Sequence, residues 1–420
     1  MRTRYGVPAW VHQFPDSRRP DYPRAGAKAG SRGAGPRGLF TGERVVDVVI
    51  LGGGLVGCAV AHACASAKLE TVVLERDRIG QGSTGRSAGL LTPEPGPAFR
   101  DVADAHGLRS ARRVFEAWRR GALDGAALLR RLKIRCALEP QDAIVVIGRE
   151  EEKRLRKEIE ARSAADLDGA WLSSRQIAKL TRLDAAGGIR FRDHFSLDSY
   201  RACVGLAAAA SSRGARFFER SPATKVRFFA KHVEITTPAG PLRAQTVIVA
   251  TGSAGAEFAP LRRHFKRRER YVVMTEPVPA AVRRQMAGDD VILHDTHVPP
   301  HTVRWAPDDR LVLTGADQDE TPAKTRSAVL VQRTGQLMYE LLKMYPAISG
   351  LQPEYGWEAS YGETADGLMY IGPHRNYPRH LFALGGQRDS VTGAFVAARI
   401  LARALQGDPD KADEVFGWSR

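Results

Sequence analysis

Cysteine is scarce. The 420 residues hold four, Cys58, Cys64, Cys136 and Cys203, and no two form a C-x-x-C pair. That spacing argues against a zinc ribbon or a redox-active dithiol and suits a reducing, cytoplasmic setting. Long apolar runs are missing too. The nearest approach, Val45–Ala65, is broken by Asp47, His62 and four glycines, so no membrane span is expected. Ser17-Arg18-Arg19 is followed by Pro20 and Asp21 rather than an apolar stretch, which argues against a secretory signal. Acids fall short of bases, 47 against 63, leaving a net charge of +16. Residues 1–44 carry nine Lys and Arg against Asp16, Asp21 and Glu43. Rich in Arg, Pro and Gly and without periodicity, they read as an extended or disordered basic arm. The densest basic cluster, Arg262 to Arg268, reads as a solvated loop, and nucleic acid is not an expected partner.

What is present centres on Val45–Glu75. An apolar run, Val45–Leu51, meets Gly52-Gly53-Gly54-Leu55-Val56-Gly57. A small-residue segment and a second apolar run, Thr71–Leu74, follow, ending in Glu75. This is strand, tight turn, helix and strand: a βαβ unit with the G-x-G-x-x-G dinucleotide fingerprint. Gly52 permits the turn, Gly54 lets a pyrophosphate approach the backbone, and Gly57 lets helix and strand pack closely. The helix N-terminus offers free N–H groups to phosphate. Glu75, 18 residues beyond Gly57, is placed to bind ribose hydroxyls and would repel a 2′-phosphate.

The segment from Arg76 to Leu91, with Gly80, Gly82, Ser83, Thr84, Gly85, Ser87 and Gly89, can run along an extended cofactor and hydrogen-bond to it. Helices are expected over Leu108–Leu132 and Arg149–Arg162, around a strand at Ala143–Ile147. Asp198 caps a helix that runs to Arg213. Val247–Ala250 is a buried parallel strand stopped by Thr251-Gly252, which returns the chain to the nucleotide unit. Strands at Tyr271–Glu276 and Val291–Asp295, and a hairpin turning at Pro307-Asp308-Asp309, suit an antiparallel sheet. His294, Asp295, His297 and His301 lie close in sequence, but their irregular spacing gives no metal-ligand geometry and no metal is expected. Near the C-terminus, Thr364–Pro373 and the strand Leu381–Leu384 lead through Gly385–Gly393 into a helix ending at Leu405.

Together these segments resemble the family of FAD-dependent amine and D-amino acid oxidases, over about residues 45–410. Four separated motifs carry the resemblance: the βαβ unit, IGQGSTGRSAGLL, VIVATG, and TADGLMYIG with the ALGG turn. The resemblance implies an α/β fold in which a Rossmann-like FAD domain is assembled from discontinuous segments (45–95, 196–260 and 351–420). A substrate domain (96–195 and 261–350) would add a mixed or antiparallel sheet over the flavin. Gly52, Gly54, Leu55, Val56, Gly57, Glu75 and Arg76 would hold the ADP half. Ser83, Thr84, Ser87, Ala88 and Gly89 would line the pyrophosphate and isoalloxazine, Val226 the adenine, and Thr251 and Gly252 the pyrophosphate. Arg388, Asp389, Ser390, Val391 and Thr392 would reach the flavin's N1–C2=O edge. Ala359 and Arg86 stand about where relatives with covalent flavin carry cysteine or histidine, so non-covalent FAD is expected.

A single dinucleotide fingerprint and no redox cysteine pair leave substrate-to-flavin chemistry. The implied reaction is hydride transfer from an amine or amino acid to flavin N5, giving an imine that hydrolyses. Oxygen or an electron-transfer partner would reoxidise the flavin. Arg388 and Arg304 are candidates to clamp a substrate carboxylate, and Tyr361 and His294 to wall the pocket. An FAD-dependent RNA-modifying enzyme and a non-catalytic flavoprotein are the alternatives.

Overall fold

In a computed structural model of the chain, residues 2–27, 39–288, 290–385 and 391–420 are described. Two sheets organise them. The smaller runs in the order Tyr370–His374, Tyr377–Leu384, Gly240–Gly252, Val45–Leu51, Thr71–Leu74, Arg216–Phe218. The last five of these strands are parallel neighbour to neighbour. A meander, Lys225–Phe228 and Val233–Thr237, runs antiparallel from the extended start of Gly240–Gly252.

The central strands are apolar on both faces because both faces are covered. Val48, Ile50, Val73 and Ile248 pack towards the helices Leu55–Ser66, Ser199–Ser211 and Thr392–Leu405. Val46, Val49, Val72 and Val249 pack with Val233, Ile235 and Leu242 of the meander side. Asp198 caps Ser199–Ser211 as expected, its carboxylate accepting the Arg201 amide.

The larger, mixed sheet has ten strands. In order, they are Arg4–Tyr5, Pro353–Glu363, Lys266–Thr275, Arg310–Asp319, Thr302–Ala306, Val291–His294, Glu139–Ile147, Gly187–Ser196 and Leu90–Leu91, with Ala170–Ser173 also on Gly187–Ser196. Arg4–Tyr5 and Val291–His294 make its two parallel pairings. The long helix Arg326–Met344 covers one face through Leu330, Leu337 and Leu341. The hairpin turns where expected, with Asp308 and Asp309 both at positive φ, the geometry that matches strand twist.

Three departures from the sequence reading stand out. The strand Pro353–Glu363 pairs with Lys266–Thr275 in the larger sheet, so the smaller sheet's last segment begins at Tyr370 rather than at residue 351. The helix Leu108–Arg131, assigned by sequence to the second unit, lies against Thr392–Leu405 of the first. Gly121 and Gly125 make that approach possible, since a Cβ there would meet Val396 and Phe395 side chains at 2.5 and 2.6 Å. The N-terminal segment is not a loose arm over its described part: Ala9 and Trp10 are buried and Arg4–Tyr5 pairs with Tyr355 and Gly356. The basic cluster is exposed at Arg262, Arg263, Lys266 and Arg267, as a solvated segment should be. Lys266, Arg267 and Arg268 begin a strand and pair with Asp319 and Glu320.

Candidate active site

The fingerprint glycines meet at the C-terminal ends of the parallel strands, where an open α/β sheet binds its ligand. Gly52, at φ +107°, turns the chain, and a Cβ on it would lie 2.6 Å from the Ala250 carbonyl oxygen. Gly57 allows the helix to return over the turn, since a Cβ there would reach the Gly52 carbonyl oxygen at 2.0 Å. A Cβ on Gly54 would find only the Thr84 hydroxyl, at 3.2 Å, which leaves its outer side open to a ligand. The Thr84 hydroxyl oxygen accepts the Leu55 amide at 2.9 Å, one of the unpaired donors of the helix N-terminus. Gly252 closes the crevice: its carbonyl accepts the Gly385 amide, and a Cβ on it would stand 4.0 Å from the Ser83 hydroxyl. Thr251 is exposed and donates to the Ser253 carbonyl. Val56 is half-buried on the first turn of the helix.

Glu75 is half-buried, one oxygen accepting the Gly53 amide at 2.7 Å and the other the Asp77 amide at 2.9 Å. A carboxylate has about four acceptor positions, so ribose hydroxyls can still be bound. Arg76 is exposed against Asp77. The segment brought to Glu75 from the far strand is Glu219–Ser221, where the Ser221 amide donates to the Glu75 carbonyl and the Glu219 carboxylate holds the Ile79 amide. Val226 lies further along, in the outer strand of the meander opposite Ile235. No fingerprint marks Glu219–Ser221. Adjacency arises because Arg216–Phe218 extends the sheet beside Thr71–Leu74.

The loop Ser83–Leu91 is held from several directions. Ser199, fully buried, donates its hydroxyl to the Thr84 carbonyl at 2.7 Å. The Trp357 and Trp10 indoles donate to the Arg86 and Ser87 carbonyls, each at 2.8 Å. The Leu197 amide donates to the Gly89 carbonyl, and the Ser87 hydroxyl oxygen accepts the Gly89 amide. Gly89, at φ +72°, has no room for a side chain, because a Cβ would lie 2.0 Å from the Leu197 carbonyl oxygen. Val391 and Thr392 join from the C-terminal side. The Val391 amide donates to the Leu90 carbonyl, and the Thr392 hydroxyl bonds both the carbonyl and the amide of Thr92. Arg388, Asp389 and Ser390 lie outside the described residues.

Arg304 falls in a different place from the one expected of a substrate clamp. Buried, it donates from Nε and Nη2 to the Ala88 carbonyl at 2.9 and 2.6 Å, and to Leu197 and Trp305 carbonyls. These bonds to main-chain oxygens make it an anchor of the loop. Arg86 pairs with Glu358, and Ala359 is buried in the neighbouring strand.

On the sheet face that carries Arg304, polar side chains form a row. His294 Nδ1 contacts the Thr302 hydroxyl at 3.0 Å, and Thr302 lies opposite Thr314. Arg270, 1% exposed, donates to the Thr314 hydroxyl and the Pro300 carbonyl and pairs with Asp317. The Tyr361 hydroxyl donates to the same Asp317 carboxylate at 2.7 Å. A buried pair of this kind keeps each charge only because it is matched and hydrogen-bonded. Beside the row, Asp295 Oδ2 accepts from Nδ1 of both His297 and His301 at 2.6 Å. Burial raises the Asp295 carboxyl, but the side-chain and amide bonds from His301, together with the charges of His301 and His297, hold the group below the usual range. Contrary to the sequence reading, these three residues do bring possible ligand atoms within 4.8 Å of one another.

A glycine crevice at the ends of parallel strands, an acid beside it and a tied loop leading to a polar sheet face define a dinucleotide-dependent enzyme of the FAD type. The family model for FAD-dependent oxidoreductases, DAO, matches residues 47–404, and the chain belongs to that family. It is 25% identical over 381 residues to γ-glutamylputrescine oxidoreductase of Escherichia coli K12, covering 87% of this chain and 85% of that protein. To a glycine oxidase of Bacillus licheniformis it is 24% identical over 387 residues, covering 87% and 95%. The fold matches the crystal structure of glycine oxidase from Geobacillus kaustophilus with a TM-score of 0.73 at 18% identity, over 89% of this chain and 98% of that one. The chain is therefore an FAD-dependent oxidoreductase, and the open side of Gly54 and the unspent acceptors of Glu75 fit that cofactor. No helix among the described residues is long and apolar enough to cross a membrane.

Proposed function

We propose that the chain oxidises the C–N bond of a small amine or amino acid to an imine that water hydrolyses, a reaction for which bound FAD would supply the hydride acceptor. The observation that carries this reading is the polar row His294, Thr302, Thr314, Arg270, Asp317 and Tyr361 on the sheet face that anchors the Ser83–Leu91 loop. Gly52, Gly54, Leu55, Val56, Gly57, Glu75 and Arg76 would hold the ADP half. Ser83, Thr84, Ser87, Ala88, Gly89, Thr251, Gly252, Val391 and Thr392 would lie along the rest, with Val226 towards the adenine.

The work left to this chain is positioning and control of the substrate's proton. An amine gives up hydride only as the free base, and burial against this face would disfavour the ammonium form. Asp317 is matched by Arg270 and the Tyr361 hydroxyl, which leaves it a poor counter-ion for a substrate cation. Tyr361 and His294, both half-buried, would wall the pocket, and Arg388 remains the candidate for a substrate carboxylate. Oxygen or an electron-transfer partner would take the electrons onward. Four unpaired, buried thiols suit a cytoplasmic setting.

Anaerobic mixing of the holoprotein with a panel of amines and amino acids tests the proposal. Bleaching of the visible flavin band by at least one of them is expected, with the matching aldehyde or oxo acid as product. No bleaching by any would overturn it. Acid precipitation should move all the flavin to the supernatant, since neither Ala359 nor the ion-paired Arg86 offers a nucleophile for a covalent link.

A further inference from the structure

The segment preceding the family unit reaches into the cofactor site. The family match begins at residue 47, yet Ala9 is fully buried and Trp10 is 4% exposed. From the sequence alone, nothing distinguishes Trp10 from the rest of a basic, proline-containing tail.

We propose that Trp10 is a positioning residue for the flavin loop, and that the segment Arg4–Phe14 is the strap that delivers it there. The proposal rests on the reading that Ser83–Gly89 lies against the FAD. Four contacts support it. The Trp10 indole N–H donates to the Ser87 carbonyl at 2.8 Å. The guanidinium of Arg304, which holds the next carbonyl, Ala88, lies 5.2 Å from the centre of the Trp10 ring. Trp357, which holds the preceding carbonyl, Arg86, meets Trp10 edge-on at 6.3 Å. Val11 packs against Gly85, where an added Cβ would stand 2.7 Å from its methyl group.

Three consecutive carbonyls, Arg86 to Ala88, are thus fixed by three side chains, and Trp10, the central one, lies against each of the other two. With its carbonyls directed at these donors, the loop cannot rotate its peptide planes freely. The Ser83 and Thr84 hydroxyls, which lie beside Gly252 and Gly54, are then held in a fixed set, which is pre-organisation of the cofactor site. The strap itself is docked independently of the loop. Arg4–Tyr5 pairs with Tyr355–Gly356, the Gly6 amide donates to the Gly356 carbonyl, His12 contacts the Tyr355 hydroxyl at 3.1 Å, and Phe14 meets Tyr200 edge-on. Docking and loop-holding can therefore be separated by mutation.

The experiment compares Trp10→Phe with His12→Ala in the full-length protein. Trp10→Phe keeps an aromatic ring but removes the N–H with the fused pyrrole. It should weaken FAD binding about fivefold, the effect of one neutral hydrogen bond. It should also shift the visible spectrum and midpoint potential of the bound flavin, beyond the loss of melting temperature that a smaller buried side chain brings. His12→Ala, which loosens the strap but keeps the indole N–H, should lower the melting temperature and weaken FAD binding less than Trp10→Phe does, with spectrum and potential as in the wild type. Wild-type FAD affinity, spectrum and potential in Trp10→Phe would overturn the proposal.

Should that variant not fold, hydrogen exchange in the wild type decides. Coupling between sites is reciprocal, so FAD must raise the protection of residues 4–14 along with that of 83–91. Unchanged protection of 4–14 would overturn the proposal. These readouts use binding and potential alone, so absence of bleaching by any amine would count against the proposed reaction and leave this inference standing.

Discussion

One oxygen of the Glu75 carboxylate accepts the amide of Gly53 at 2.7 Å, across 22 positions of the chain. The acid that ends the second strand thus also fixes the glycine turn that ends the first. Glu75→Gln keeps an acceptor for Gly53 but loses the charge and the symmetric pair of oxygens. FAD affinity should fall about tenfold, since hydrogen bonds to an ionised group are worth more than neutral ones. Titration of the apoprotein with FAD, followed by flavin fluorescence quenching, checks this.

Arg304 offers a test between two roles. A carboxylate clamp would make Arg304→Met raise KM for amino acids far more than for simple amines. An anchor on the Ala88 and Leu197 carbonyls would instead weaken FAD retention and lower kcat alike for both substrate classes. The structure predicts the second pattern, read from steady-state kinetics on matched amine and amino-acid pairs.

Arg162 is buried and forks onto Glu94 with bonds of 2.7 and 2.8 Å, while Glu158 on the same helix holds the Phe99 amide. Glu94→Gln leaves a buried guanidinium with only the more distant Glu158 carboxylate, 3.9 Å away, at a cost of about 2 kcal/mol. The melting temperature should fall by a few degrees. Adding Arg162→Met should recover part of the loss, because the poorly matched charge is gone. Calorimetry of the two variants decides.

Asp198 carries the clearest pH signature. Burial pushes its carboxyl up from 3.8 to about 6, against the opposing bond from the Arg201 amide. The folded protein therefore holds a proton that the unfolded chain has released between about pH 4 and 6. Stability from this group is present below pH 4 and is lost as pH rises to 6, by about 3 kcal/mol at most. Asn caps a helix as well as Asp does, so Asp198→Asn should gain on the wild type progressively across that window. Denaturant melts at pH 4, 5, 6 and 7 measure the difference.

The nucleotide unit was legible because its signals are local. Glycines at fixed offsets, two apolar runs and Glu75 all fall within 31 residues, and each has one cheap geometry. The Asp198 cap and the turn at Asp308-Asp309 were readable for the same reason. The polar row was not. Arg270, Asp317 and Tyr361 come from three strands and meet only through sheet register, which no sequence spacing records. Arg304 is a candidate carboxylate clamp by residue type, but burial directs donors of its guanidinium to carbonyls 107 and 216 positions away. The N-terminal segment misled because composition reports the average of a stretch, whereas Ala9 and Trp10 alone decide whether it docks.

Pairing of Arg4–Tyr5 with the strand Pro353–Glu363 has a consequence for handling the protein. An outermost strand offers unpaired N–H and C=O groups to any passing chain, and proteins blunt such borders to stay dispersed. Here the first described residues form that border. A shortened chain beginning near residue 45, the obvious choice from the family boundaries, would leave Tyr355 and Gly356 without these partners and uncover Trp357. It should self-associate, and a concentration-dependent rise in light scattering at unchanged helix content would mark the loss.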